Sequence, residues 1–129
     1  MIVADTDVLI DYLEGRQPEA HAVAAALAAG RLQTTVISCF ELLSGARQSR
    51  QRRAVHTLLE SIPALPLDRN AAHKAAEVRL ELERSGLGIG MADSLIAGIV
   101  LVHGARLLTR NRRHFERVPR LPLADSSVM

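Results

Sequence analysis

Three acidic residues lie where a predicted strand ends or a predicted helix begins. Asp5 directly follows the apolar residues 2–4, Glu41 falls in the first turn of a predicted helix, and Asp93 lies near the start of an otherwise apolar helix. In open α/β sheets, ligands bind at the carboxyl ends of parallel strands, where the following helices also begin. If the sheet is of this kind, we expect the three carboxylates to converge at one edge.

Converging carboxylates predict a bound divalent cation. Two like charges about 4 Å apart repel by about 4 kcal/mol at an effective dielectric constant near 20, so the carboxylates either take up protons or hold a cation. Oxygen ligands without histidine or cysteine at ligand spacing favour Mg²⁺ or Mn²⁺ over Zn²⁺. Such an ion polarises a phosphoryl oxygen and lowers the pKa of a bound water. The predicted chemistry is therefore hydrolysis of a phosphodiester.

Each carboxylate also has a purely structural interpretation. Glu41 stands three residues after Ser38, which is the spacing of a capping box. Asp7 and Asp93 could interact favourably with the amino-terminal dipoles of their helices. Asp5 is harder to explain in this way, because a carboxylate directly after a buried strand needs a partner.

The elements that would position these residues alternate between short strands and longer helices. Strands are predicted over residues 2–4, 32–37, 62–67, 106–109 and 121–124. Helices are predicted over residues 6–14 with Thr6 as the cap, over 18–29, from Ser38, after Gly45, from the cap Asp68 to Ser85, and over 91–102, with a turn or short helix at 111–115. This alternation predicts an α/β fold, with a short parallel sheet of about four to five strands between helices.

Length and composition limit the remaining possibilities. A chain of 129 residues with 48% hydrophobic residues is long enough for one compact core, so we expect a single domain over residues 1–129. No run of about 18 or more apolar residues and no charged leader occurs, so we expect a cytoplasmic protein without a membrane segment. Cys39 is the only cysteine, which excludes an internal disulfide.

The basic residues are almost all arginine and form two clusters. Fifteen of the sixteen basic residues are arginine, and Lys74 is the only lysine. One cluster lies within residues 47–53, and the other, at 110–117, directly follows the fourth predicted strand. Arginine forms bidentate contacts with phosphates. The second cluster, including Arg110, Arg112 and Arg113, is therefore predicted to contact a phosphate backbone such as that of RNA.

Four segments together resemble the motif blocks of the PIN-domain ribonucleases, and in particular the VapC toxins of bacterial toxin-antitoxin pairs. They read Asp-Thr-Asp-Val-Leu-Ile from residue 5, Ile-Ser-Cys-Phe-Glu-Leu-Leu-Ser-Gly-Ala from 37, Ala-Asp-Ser-Leu-Ile-Ala-Gly from 92 and Leu-Thr-Arg-Asn-Arg-Arg-His-Phe from 108. The resemblance runs in order from residue 1 to about residue 118. It implies a Mg²⁺- or Mn²⁺-dependent endoribonuclease that acts as the toxin of a type II pair, forms a homodimer and binds a VapB-like antitoxin protein.

The resemblance also assigns roles to individual residues. The catalytic and metal-binding positions of the family fall on Asp5, Glu41 and Asp93. The fourth acidic position is here the neutral Asn111, which would be a weak metal ligand, and Asp7 is a candidate to restore part of the missing charge. The residues expected to contact substrate are Thr6, Ser38, Thr109, Arg110, Arg112 and Arg113.

Two alternative functions remain open at this point. The first is a non-catalytic PIN-like module that binds RNA or protein, which the neutral Asn111 would permit. The second is a phosphatase resembling the haloacid dehalogenases, with Asp5 as the nucleophile. This second alternative needs a threonine or valine where Leu9 stands and a lysine in a loop, whereas Lys74 falls in a predicted helix.

Overall fold

The computed structural model describes residues 1–126 and contains a four-stranded parallel sheet. The strands are β1 (Ile2–Ala4), β2 (Leu32–Thr35), β3 (Ala64–Leu65) and β4 (Arg106–Leu108), in the order β3-β2-β1-β4. In the central strand β1, Ile2 pairs with Leu32 on one side and with Arg106 on the other. The predicted α/β class is confirmed. Because the chain moves outwards from β1 to β3 and then returns to the other side of β1, the strand order reverses between β1 and β4.

Helices cover both faces of this sheet. They are α1 (Thr6–Glu14), α2 (Glu19–Ala28), α3 (Val36–Gly45), α4 (Ser49–Ser61), α5 (Arg69–Arg84), α6 (Met91–His103) and α7 (Arg112–Phe115). Side chains alternate across β1, so Val3 packs into the core formed with α5 and α6, while Ile2 and Ala4 pack into the core formed with α1, α2 and α4. Within residues 1–126, no helix combines the length and the apolar character that crossing a membrane requires.

Several predicted boundaries differ from the observed ones because of capping. Asp5, not Thr6, is the N-cap of α1, since its side chain accepts a hydrogen bond from the Thr6 backbone N–H. Helix α3 begins at Val36 instead of Ser38, because the Thr35 hydroxyl accepts from the Ser38 N–H and ends β2 early. Ser38 is therefore a buried residue within the first turn.

The outer strands are also shorter than predicted. Strand β3 covers only Ala64–Leu65 of the predicted residues 62–67, where Pro63 and Pro66 each remove a backbone donor. The predicted fifth strand at 121–124 is reduced to a single bridge between Leu107 and Leu123.

A close contact between α5 and α6 fixes the helix that carries Asp93. At Gly98, an added Cβ would lie 2.6 Å from the Ala75 backbone nitrogen and 2.7 Å from the Ala71 carbonyl oxygen. Atoms at such distances overlap, so only glycine allows the two helices to approach this closely.

Candidate active site

Asp5 lies at the point where the strand order reverses. Its backbone N–H donates to the Leu108 carbonyl at 2.9 Å, which joins the ends of β1 and β4. Its Oδ1 accepts from the Thr6 N–H at 2.8 Å, and its Oδ2 accepts from the Thr109 hydroxyl at 2.7 Å. The residue is only 6% exposed. Open parallel sheets form their ligand-binding crevices at such reversal points.

The surroundings of Asp5 disfavour its charged form. The pKa of its carboxyl is raised to about 6, chiefly by burial; the hydrogen bonds from Thr109 and Thr6 lower it, and the nearby charges of Asp93 and Asp7 add to the rise. Within residues 1–126, Asp5 forms no ion pair with an arginine or lysine. A buried carboxylate with carboxylate neighbours and no basic partner is suited to a cation.

Glu41 is joined to Asp5 through Thr6, whose backbone N–H donates to Asp5 and whose hydroxyl donates to Glu41. The Thr6 hydroxyl donates to Glu41 Oε1 at 2.6 Å and lies 2.9 Å from the Ser38 hydroxyl oxygen. Because Thr35 caps α3 and Glu41 binds a residue of α1, the interpretation of Ser38 and Glu41 as a capping box is wrong.

Asp93 is joined to Asp5 from the other side. It lies in the first turn of α6 with its side chain 24% exposed, and its Oδ2 accepts from Asn111 Nδ2 at 3.2 Å. The Asn111 backbone N–H donates to the Thr109 hydroxyl oxygen at 3.0 Å. Thr109 therefore contacts Asp5 directly and Asp93 through Asn111.

These contacts form one continuous series, which we call the acidic network. It consists of Glu41, Thr6, Asp5, Thr109, Asn111 and Asp93, with Ser38 beside Thr6. The predicted residues are thus brought to one edge of the sheet, but they are linked through hydroxyl and amide groups instead of touching each other. Among residues 1–126, no three acidic, histidine or cysteine side chains form a ready-made metal cluster.

The donor atoms of the acidic network nevertheless fit Mg²⁺ or Mn²⁺. Mg²⁺ keeps several waters and is usually held by one or two carboxylates together with substrate phosphates. Asp5 and Asp93 lie close enough for the charge of Asp93 to act on the pKa of Asp5, and both offer oxygen donors. Asp5 and Asp93 are therefore the candidate direct ligands, and Glu41, which is bound by Thr6, is the third candidate.

The three arginines predicted to bind substrate have different surroundings. The Arg110 Nε lies 3.1 Å from Asp11 Oδ2, and the Asp11 side chain is only 1% exposed. Arg112 donates to the Ala124 carbonyl at 2.8 Å. Arg113 is exposed on α7. Arg110 is thus engaged in fixing the segment after β4, and Arg112 holds the backbone at residue 124, whereas the exposed Arg113 has no such contact among residues 1–126.

Sequence reasoning missed Asp11, and it placed His114 near the substrate without predicting its contacts with Asn111 and Asp93. Asp11 follows Val8 by three residues on the buried side of α1, and an acid on a buried helix face requires a partner, a signal that could have identified it. His114 Nδ1 lies 2.9 Å from Asn111 Nδ2 and 3.3 Å from Asp93 Oδ2. In the sequence, only the spacing of three residues between Asn111 and His114 indicated that these two side chains could meet on a short helix.

Two grooves border the acidic network. One, of about 330 Å³, lies between α1, α3 and α4 and is lined by Glu41, apolar side chains including Ile10 and Leu13, and Arg50. The other, of about 460 Å³, is lined by Thr109, Arg110, Arg112 and Ser126 among others. Chain segments of a ligand or partner could therefore approach the network from both sides.

The fold corresponds to a known class of domain. Residues 2–121 match the family model of the PIN domain. The chain is 36% identical to ribonuclease VapC10 of Mycobacterium tuberculosis over 89% of this chain and 86% of the relative. It is 32% identical to the tRNA(fMet)-specific endonuclease VapC of Salmonella typhimurium over 74% of this chain and 75% of that protein. The chain therefore belongs to the PIN-domain family and, within it, to the VapC ribonucleases.

Solved structures agree with this assignment. The DNA-bound VapBC complex of Salmonella typhimurium contains a chain that superposes with a TM-score of 0.86 and 29% identity, covering 97% of each chain. VapBC2 of Rickettsia felis, bound to a promoter DNA fragment, gives a TM-score of 0.86 at 23% identity over 96% of this chain and 98% of that one. The second likeness shows the shared fold alone.

Proposed function

We propose that this chain is a metal-dependent endoribonuclease that acts as the toxin of a type II toxin-antitoxin pair. The observation that carries the proposal is the acidic network, which joins Asp5, Glu41 and Asp93 at the reversal point of a PIN-domain sheet. The names of the relatives, ribonuclease and tRNA(fMet)-specific endonuclease, support RNA as the substrate. The VapBC complexes among the similar structures support a VapB-like antitoxin as partner, and we also propose a homodimer on the family resemblance.

Each residue of the acidic network has a role in this proposal. When bound, Mg²⁺ or Mn²⁺ polarises the scissile phosphate and lowers the pKa of a bound water. Asp5 and Asp93 supply the carboxylate oxygens that hold the ion, and Thr109 keeps Asp5 in place through its hydroxyl. Thr6 fixes Oε1 of Glu41, which leaves Oε2 to orient the attacking water. In this proposal Arg112 and Arg113, on α7, contact the phosphate backbone of the RNA.

The family match favours this function over the phosphatase alternative. Asp5 is buried with both oxygens engaged in hydrogen bonds, and Lys74 lies within α5 with its ammonium group 3.2 Å from Glu77 Oε2. Asp5 therefore lacks the exposure and the neighbouring lysine that a nucleophilic aspartate of the phosphatase would need.

The test is RNA cleavage by purified protein freed from any co-expressed antitoxin. We expect cleavage with Mn²⁺ or Mg²⁺, loss of cleavage with EDTA, and at least about a hundred-fold loss in Asp5→Asn and Asp93→Asn. Glu60→Gln is the matched control, because Glu60 is an exposed acid near the end of α4. It precedes the amino end of β3, whereas the acidic network lies at the carboxyl ends of the strands. Transfer RNA is the first substrate to test, and sequencing of the RNA ends identifies the cleavage site.

The binding-module alternative predicts a different result in the same assay. RNA would stay intact with Mn²⁺, and the Asp5→Asn and Asp93→Asn variants would bind it as well as the wild-type protein does. That combination would replace the proposed enzyme with a binding module.

A further inference from the structure

His114, on the short helix α7, contacts two side chains of the acidic network. Its Nδ1 lies 2.9 Å from Asn111 Nδ2 and 3.3 Å from Asp93 Oδ2. Asn111 Nδ2 lies 3.2 Å from the same Asp93 oxygen. The three polar atoms form a triangle, and the hydrogens available to them decide which contacts are hydrogen bonds.

The hydrogens can be assigned from the chemistry of the three groups. A carboxylate oxygen only accepts hydrogen bonds, so the Asn111 atom that faces Asp93 must be the amide nitrogen. That nitrogen carries two hydrogens, and the second can go to His114 only if Nδ1 carries a lone pair. The contact between these two nitrogens is the shortest of the three, which is the geometry of a hydrogen bond donated by Asn111 Nδ2 to an Nδ1 of His114 that carries no hydrogen.

We propose that His114 is a positioning residue that fixes the amide of Asn111. With both hydrogens of Nδ2 directed to Asp93 and His114, the amide oxygen is turned away from them and remains available to the cation or to a water on it. This inference rests on the proposed metal-dependent function. It explains how an asparagine can present its one amide oxygen to a cation at a position where an aspartate would present either of its two carboxylate oxygens.

The physical reason lies in the two unlike ends of an amide. Aspartate presents an oxygen to a cation in either orientation, whereas asparagine presents an oxygen in one orientation and a hydrogen-bond donor in the other. Asp93 alone could hold one hydrogen of the amide nitrogen, and His114 holds the second. Groups that orient a ligand in this way typically change metal affinity by about 10–100-fold when they are removed. The His114 side chain is 41% exposed, so water replaces part of its contact, and we expect the lower end of that range.

The experiment compares His114 variants in two backgrounds. His114→Leu keeps a similar shape but removes the acceptor, and His114→Asn restores an acceptor oxygen at the position of Nδ1. Each His114 substitution is made in the wild-type protein and in the Asn111→Asp variant. The Mn²⁺ affinity of every protein is measured by calorimetry and electron paramagnetic resonance. We expect His114→Leu to weaken Mn²⁺ binding about ten-fold with Asn111 present and less than about two-fold in the N111D background. His114→Asn should retain most of the affinity.

A second measurement tests the hydrogen assignment without any metal. Long-range ¹H–¹⁵N NMR of the metal-free protein should show His114 with an unprotonated Nδ1, and circular dichroism checks that each variant is folded. A hydrogen on Nδ1 in the neutral ring would overturn the proposal, as would an equal loss of Mn²⁺ affinity in both backgrounds. If the wild-type protein binds no Mn²⁺, the proposed metal-dependent function and this inference both fail. If it binds Mn²⁺ and one of the two contrary results above is obtained, only this inference fails, so the two failures are distinguishable.

Discussion

Replacing Asp5 with asparagine should stabilise the metal-free protein at neutral pH while abolishing its activity. In the folded state the pKa of Asp5 is raised, chiefly by burial, to about 6 from the ordinary value of 3.8 for an exposed carboxyl. An acid whose pKa is raised by folding costs stability once the pH exceeds its unfolded pKa, because the unfolded state then binds fewer protons. The full cost is reached above about pH 6 and follows from the difference between the folded and unfolded pKa values, which makes it about 3 kcal/mol.

Asparagine removes this cost but loses one hydrogen bond. Its amide oxygen can still accept from the Thr6 N–H. Its NH₂ group, however, takes the place of Oδ2, so the Thr109 hydroxyl loses the acceptor that it has in the wild-type protein. The lost bond costs about 1 kcal/mol. We therefore expect a net gain of about 2 kcal/mol at pH 7.5, equivalent to a rise in Tm of roughly 5–10 °C for a domain of this size.

The assay is urea unfolding of both proteins in EDTA at pH 7.5 and at pH 4. At pH 4 the carboxyl is mostly protonated in the folded protein and partly protonated in the unfolded chain, so the gain from Asp5→Asn should vanish. Glu60→Gln, on an exposed helix position, should change stability by less than about 0.5 kcal/mol at either pH. A loss of stability in Asp5→Asn at pH 7.5, or a difference that does not depend on pH, would refute the reasoning. Added Mn²⁺ should stabilise the wild-type protein and leave Asp5→Asn unchanged.

Three further substitutions test the packing and contacts around the site. Gly98→Ala should cost about 1–3 kcal/mol in urea unfolding because its Cβ would overlap the α5 backbone, whereas Gly45→Ala, with open space around it, should be nearly neutral. Arg110→Gln should lower the free energy of unfolding by about 1–2 kcal/mol, since it leaves the buried Asp11 carboxylate with only the 3.5 Å contact to Arg16; an unchanged value would show that this pair contributes little. Thr109→Val should raise the pKa of Asp5 further and reduce kcat, because the hydroxyl that lowers that pKa is lost, and Thr109→Ser should restore both; equal activity of the two variants would contradict the role of the hydroxyl.

Local rules predicted the features that depend on neighbours in the chain. Asp68 was correctly predicted as the cap of α5, since a cap needs only the backbone of the next few residues. The predicted start of α3 at Ser38 was wrong because Thr35 and Ser38 can both cap a helix. Only the observed hydrogen bond from the Ser38 N–H to the Thr35 hydroxyl identifies Thr35 as the cap. Asp5 could be singled out because an acid directly after an apolar strand is unusual wherever that strand is placed.

By itself, the sequence determined the alternation of strands and helices, the ends of most helices and the acids that follow β1 and begin α6, because hydrophobic periodicity and capping act over a few residues. The tertiary structure alone decided that β4 joins β1, so that Thr109 binds Asp5 across 104 positions of the chain. It also decided that Arg110 meets Asp11 and that Asn111 and His114 both meet Asp93. Such contacts depend on how separate elements pack against each other, and no spacing along the chain specifies that packing.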